Sequence, residues 1–275
     1  AGAFSELEPV DGLVGRLRRE GLAHSSEPTQ WSLCHGLLAE SLQRQAEEAN
    51  RLVSHHQSAA EMLATKRTAR GTSARRAHHL IGAGRALDAL DPLLLAARER
   101  KAEAGFNAAL ELLDQFDATA DELSMDAAKP ERGEATLLRV ELFGGLDRLK
   151  EAAPLAQALI NACDQHQWLT IAPSAKRVYG TLLIRLGQSE EGAEYLLQAI
   201  DAAERVSLGV EASRGRVALA FFRFHTGDVD GAESLLTRGL PVLRQKPTQE
   251  PFVHTALITL ANVAKSRGDF DQARD

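Results

Sequence analysis

The chain has 275 residues, 44% hydrophobic and 25% charged, with a formal net charge of −6. That length admits two ordinary domains or one elongated array, and the balance excludes wholesale disorder. The acidic total argues against a nucleic-acid binder, which needs clustered Lys and Arg. Cys34 and Cys163 lie far apart without CxxC spacing, so reduced thiols and a cytoplasmic protein are expected. No apolar run approaches the ~20 residues of a membrane span, and no basic-then-apolar leader opens the chain. A membrane partner is therefore not expected. Aromatics make up only 5% while Ala, Leu, Glu and Arg abound, which favours helix.

The first expected element lies in DGLVGRLRREGLAH, with Leu13, Val14 and Leu17 on one side and Arg16, Arg18 and Arg19 opposite. This is an amphipathic helix of about three turns, ended by Gly21. Leu22–His24 and Trp31–Cys34 then pair as a short hairpin across SSEPTQ, whose Ser and Pro are turn formers. A long helix starts near Gly36 and carries Leu37, Leu38 and Leu42, with Leu52 and Met62 further along. The polar and basic stretch KRTARGTSARR, 66–76, breaks the chain. Irregular helical hairpins occupy 72–126, one around Gly84 and a half-period partial at Gly105, with Pro92 as a candidate helix start. A second break, SMDAAKPERGE, precedes a regular array over 134–275.

That array repeats. DRLKEAAPLAQALI, GQSEEGAEYLLQAI, GDVDGAESLLTRGL and GDFDQARD begin at Asp147, Gly187, Gly227 and Gly268, forty or forty-one residues apart. Five positions on stand Ala152, Gly192, Ala232 and Ala273, and seven before stand Val140, Gly180, Ala220 and Ala261. Small residues on both sides of a turn let two antiparallel helices approach closely, and Gly or Asp takes the turn conformation other residues disfavour. Stacked hairpins of this kind form a solenoid, with hairpins expected at 134–164, 171–206, 211–245 and 250–275. The small–Gly–small pattern resembles the tetratricopeptide repeat (TPR), and the resemblance covers about 72–275. It departs in period, about 40 against 34 residues, and in lacking the usual aromatic and proline positions. The implied fold is all-α, a right-handed TPR-like solenoid, and each hairpin's first helix is implied to line a concave ligand face.

Helix, β-wing and helix over 1–65 read as the end of a winged helix with its linking helix. A winged helix before such an array resembles the STAND class of signalling P-loop ATPases, found in bacterial kinases and transcriptional activators. There a Met-His-Asp motif sets a histidine against the bound nucleotide. Cys34, His35 and Gly36 occupy those places, so His35 matches and the Asp does not. No GxxxxGKS/T run is present, so nucleotide is expected only with an upstream ATPase domain, and the segment reads as a piece of a larger protein.

The expected function is therefore a non-catalytic scaffold or sensor of a signalling protein. It would take a protein, peptide or small inducer in its groove and relay occupancy to an ATPase or kinase. The alternative is a winged-helix DNA-binding regulator whose solenoid serves dimerisation or effector binding. Mapped onto the first helices, the groove positions are Arg177, Thr181 and Arg185; Arg214, Phe221, Phe224 and His225; and Asn262 and Lys265. That set is basic and suits an acidic partner. No catalytic grouping or cofactor is expected. The pairs His55–His56 and His78–His79 point to different sides of their helices, and no Cys or correctly spaced Glu completes a set, so no metal is expected either.

Overall fold

The computed structural model describes residues 10–27, 30–65, 71–246 and 250–269. The chain divides into two compact units, one up to Ala89 and one from Leu90 onward. In the first, helix α1 (Val10–Arg19) ends at Gly21, which has φ 72°. Strands β1 (Ala23–Glu27) and β2 (Gln30–Leu33) pair antiparallel with Ala23 opposite Leu33 and His24 opposite Ser32. Pro28 and Thr29 of the expected turn lie outside the described residues. These are the only strands among the described residues.

The long helix expected from Gly36 is two helices, α2 (Gly36–Glu48) and α3 (Leu52–Thr65). Asn50 breaks them with φ 51°, and the Arg51 amide donates back to the Ala46 carbonyl, closing the end of α2. Leu37, Leu42 and Met62 of its expected apolar face are exposed; among the described residues α2 packs chiefly on β2 and α3. Helix α4 (Thr72–Gly82) packs on α3 and begins inside the expected break at 66–76, of which residues 66–70 lie outside the described residues. Helix α5 (Ala86–Ala102) starts six residues before Pro92, which sits in its interior rather than at its start.

The second unit continues through α6 (Phe106–Glu122) into hairpins α7 (Pro130–Gly145) with α8 (Leu149–His166), α9 (Ala172–Arg185) with α10 (Ser189–Arg205), and α11 (Gly209–His225) with α12 (Val229–Arg244). Helix α13 (Glu250–Ser266) follows, and the fourth repeat beyond Asp269 lies outside the described residues. Asp147, Gly187, Gly227 and Gly268 all stand at their turns with φ between 61° and 89°. At each, the next amide donates across the turn to the carbonyl five residues back: Arg148 to Phe143, Gln188 to Leu183, Asp228 to Arg223 and Asp269 to Ala264. This satisfies the carbonyls that a helix end leaves without partners. The connections that leave α6, α8 and α10 close the same way, on Ser124, Gln167 and Ser207, which carry a side chain into the left-handed region.

Within each hairpin the crossing is made by small residues. Ala220 faces Ala232 in one fully buried cluster, and Val140 joins Ala152 in another. Between α9 and α10 the approach is closest. A Cβ on Gly180 would lie 2.6 Å from the Gly192 carbonyl oxygen, and a Cβ on Gly192 would lie 2.6 Å from that of Gly180. Neighbouring hairpins are wedged by Trp168, which is buried against Leu159, Ile160, Cys163 and Ala175 and donates its indole N–H to the Ala128 carbonyl at 2.9 Å. Burial first, and then Asp164, push the Cys163 thiol up to about 11, so it stays a protonated core side chain.

The first helices of successive hairpins touch one another in the order α7, α9, α11, α13 and make one layer, with α8, α10 and α12 packed behind. Gly180→Ala is expected to cost about 1–3 kcal/mol, because its methyl meets backbone that cannot move aside. A thermal melt should show a clear fall in Tm. Gly209→Ala, whose Cβ would meet nothing within 4 Å, should leave Tm unchanged or slightly raised.

Candidate functional site

The layer of first helices carries a row of alternating charges. Lys101 of α5 pairs with Glu141 of α7. Glu141 also accepts from Arg177 of α9 at 3.4 Å, and the Arg177 Nε donates to Glu211 of α11 at 2.5 Å. Glu211 offers its other oxygen to Arg214 at 2.8 Å. The row ends on the ring of Phe252 in α13, over which Arg214 and Arg177 lie at 5.1 and 5.5 Å. The centre is dry, with the Arg177 and Glu211 side chains only 9% and 8% exposed.

Such a pair is tolerated because each charge is the other's solvent. Burial opposes the charge on Glu211. The Arg177 guanidinium, by its charge and hydrogen bond, and then Arg214 outweigh that and hold the carboxyl below its ordinary 4.5. Burial likewise opposes the charge on Arg177, and Glu211 and Glu141 outweigh it, raising its pKa further.

Beside this row opens a groove of about 380 Å³, lined by Thr170 and Ser174 at the start of α9 and by Ser207, Leu208, Gly209, Val210, Glu211 and Arg214. Its lining gives hydroxyls, an apolar rim, the Glu211 carboxylate and the guanidinium paired with it. At the other end of α11, Phe221 is 47% exposed and stacks on His225 with ring centroids 4.2 Å apart, while the His225 ring engages the Phe221 carbonyl. Phe224 packs on the core shared by α11, α12 and α13 and meets His225 edge-on.

The nine residues expected in the groove thus fall into separate places. Arg177 is internal to the charge row, and Thr181 returns its hydroxyl to the Arg177 carbonyl. Arg185 donates to the Gly144 carbonyl and to Asp147, fastening α9 to the preceding turn. Arg214 alone of the three arginines lines the groove. Asn262 is half-buried and Lys265 exposed on α13. Sequence reasoning missed Glu141 and Glu211, the acids that neutralise these arginines; Glu211 stood three positions before Arg214, on the same helical face. His35 takes the N-cap position of α2 with exposed side chain and makes no capping bond.

Sequence reasoning also missed a cluster in the first unit. His56 of α3 reaches His78 and His79 of α4, with ring centroids between 5.1 and 5.6 Å apart. Burial, then the neighbouring His56, His78 and Arg75, lower the pKa of His79. Each doublet had been read on its own helix, whereas the third ring comes from across the helix pair.

The architecture is that of a TPR-like helical-repeat protein, and solved structures agree. The chain is similar to BtubC (BKLC) from P. vanneervenii with a TM-score of 0.57 and 18% identity, over 82% of this chain and 86% of that one. It is similar to a Rap protein complexed with Competence and Sporulation Factor with a TM-score of 0.59 and 13% identity, over 86% and 74%. The nearly identical TPR-like repeats of a Podosopora anserina kinesin light chain give 0.51 and 18%, over 67% and 90%. No protein-family profile and no curated relative matches the chain.

The buried pair has a measurable consequence. Arg177→Ala leaves Glu211 buried without its main counter-charge and should cost about 3–5 kcal/mol, while Arg177→Met with Glu211→Leu should recover most of that loss. A carboxyl held low stabilises the fold fully above the unfolded value near 4.5, and the contribution is lost as pH falls through the lower folded value. Acid melts should therefore show a stability loss beginning below pH 4.5 that Glu211→Gln flattens.

Proposed function

We propose that this chain is a non-catalytic interaction module, whose layer of first helices receives a protein or peptide bearing an acidic group. The observation that carries the reading is the groove beside the charge row. Arg214 lines it already ion-paired, so an incoming carboxylate would compete with Glu211 for a guanidinium fixed in direction by its neighbour and by Phe252. The exposed Phe221–His225 stack and the exposed Leu257 and Ile258 on α11 and α13 offer apolar area for the remainder of a ligand. The similar Rap protein, complexed with Competence and Sporulation Factor, supports a ligand-receiving role for such repeats.

The test is a peptide array or pull-down with wild type and Arg214→Glu. Acidic ligands should be retained by the wild type and lost on charge reversal. Retention of equal strength by Arg214→Glu, or ligands without acidic residues, would overturn the assignment. Arg177→Glu is unsuitable here, since it would place two carboxylates in a dry site.

The relay is the finer part of the same proposal. Helix α1, the β1–β2 hairpin and α2 follow the order of the end of a winged helix, and His35 stands solvent-exposed where the hairpin meets α2. Within a signalling protein of the STAND type, this histidine would sense the nucleotide of an adjoining ATPase domain. In a chain carrying that domain, His35→Ala is expected to speed ADP release. Unchanged nucleotide exchange would leave His35 as the residue that precedes a helix and nothing more.

A further inference from the structure

The histidine cluster of the first unit is not needed by the repeat array or by the groove beside the charge row. His56, half-buried on α3, and His78 and His79, exposed and half-buried on α4, each present one ring nitrogen, and the three atoms lie within 4.8 Å of one another. The Nδ1 atoms of His56 and His79 stand 2.9 Å apart, a distance bridged by a single shared proton. Three nitrogen ligands on one tetrahedral zinc ion would stand about 3.3 Å apart at Zn–N bonds of about 2.0–2.1 Å. The rings therefore need only small side-chain rotations to surround an ion in place of that proton.

The position of His56 is built rather than incidental. A Cβ at residue 82 would lie 2.8 Å from the Cγ, Cδ2 and Cε1 atoms of its ring, so the imidazole rests on the bare backbone of Gly82. Any other residue there would push it from its partners. The cluster opens into a groove of about 570 Å³ lined also by Gln43, Leu52, His55, Ala59 and Ile81, which leaves room for a water or a further ligand. Among charged groups, Arg75 lies near His79, on the exposed side of α4 where solvent screens it.

We propose that His56, His78 and His79 bind a divalent first-row transition metal ion, zinc foremost, which clamps α3 to α4. Three uncharged nitrogen donors with no carboxylate select borderline ions of this kind over magnesium or calcium, which take oxygen ligands. The ion replaces a weak hydrogen bond between two rings with three coordinate bonds across two helices, and its fourth position faces the groove.

The test uses the full chain, purified without a histidine tag and stripped with a chelator. Zn²⁺ is titrated by calorimetry and Co²⁺ by visible absorption, with circular dichroism to check folding. One ion per chain should bind saturably, chelator should reverse it, and Co²⁺ should develop the intense bands of four-coordination. His78→Ala alters an exposed side chain and leaves the fold alone. It should weaken binding by more than roughly tenfold, since loss of an outer-shell partner alone has about that effect. His56→Ala should do the same, and His55→Ala, in the same groove but outside the cluster, should bind as wild type. The proposal fails if Zn²⁺ binds the His78→Ala chain as tightly as wild type. It fails also if His55→Ala is as damaging, or if the Co²⁺ spectrum stays that of the aqueous ion.

Discussion

Two helices can meet backbone to backbone only where neither carries a side chain, and that constraint organises the array. At Gly180 and Gly192 the clearance is too small for even a methyl group. Once that crossing is fixed, the turn between the helices must sit midway, which is where Gly187 takes its left-handed conformation. The hairpins on either side carry Val140 with Ala152 and Ala220 with Ala232 at the corresponding positions, buried in their cores. Helix pairs this close bury little apolar area between themselves at the crossing. Leucines and Trp168 on the flanking faces supply it against the next hairpin.

Close stacking brings the first helices side by side, and their charges must then alternate. Glu141, Arg177 and Glu211 come from three successive hairpins and meet in a region from which water is largely excluded. A buried pair of this kind adds little net stability over apolar residues of the same size, but it penalises any register in which like charges face each other. The row therefore acts chiefly on the relative placement of hairpins. It also limits what remains for a ligand, since of the three arginines only Arg214 reaches the groove.

The turns and crossings were legible because glycine and alanine report backbone geometry directly, and Asp147, Gly187, Gly227 and Gly268 recur at a fixed spacing. Ser124, Gln167 and Ser207 were not, because a left-handed residue with a side chain carries no compositional mark. Asn50 was missed similarly, and with it the division of one expected helix into α2 and α3. The groove was half legible. Its arginines sit on the expected helices, and Glu211 stands three residues from Arg214, but the partners of Arg177 and Arg185 on other elements, Glu211 and Asp147, are more than thirty residues away. Pairings across helices depend on the angle at which hairpins stack, and no local pattern encodes that angle.

One contact departs from the usual logic of a stacked array, in which each repeat senses only its immediate neighbours and unfolding frays inward from an end. Arg177 of α9 lies over the ring of Phe252 in α13, passing the hairpin between them. A next-nearest-neighbour contact couples the loss of the last helix to the middle of the array. Three successive hairpins then share one cooperative unit, and amide exchange in α9 should report on the attachment of α13 although the two helices belong to repeats that are not adjacent in sequence.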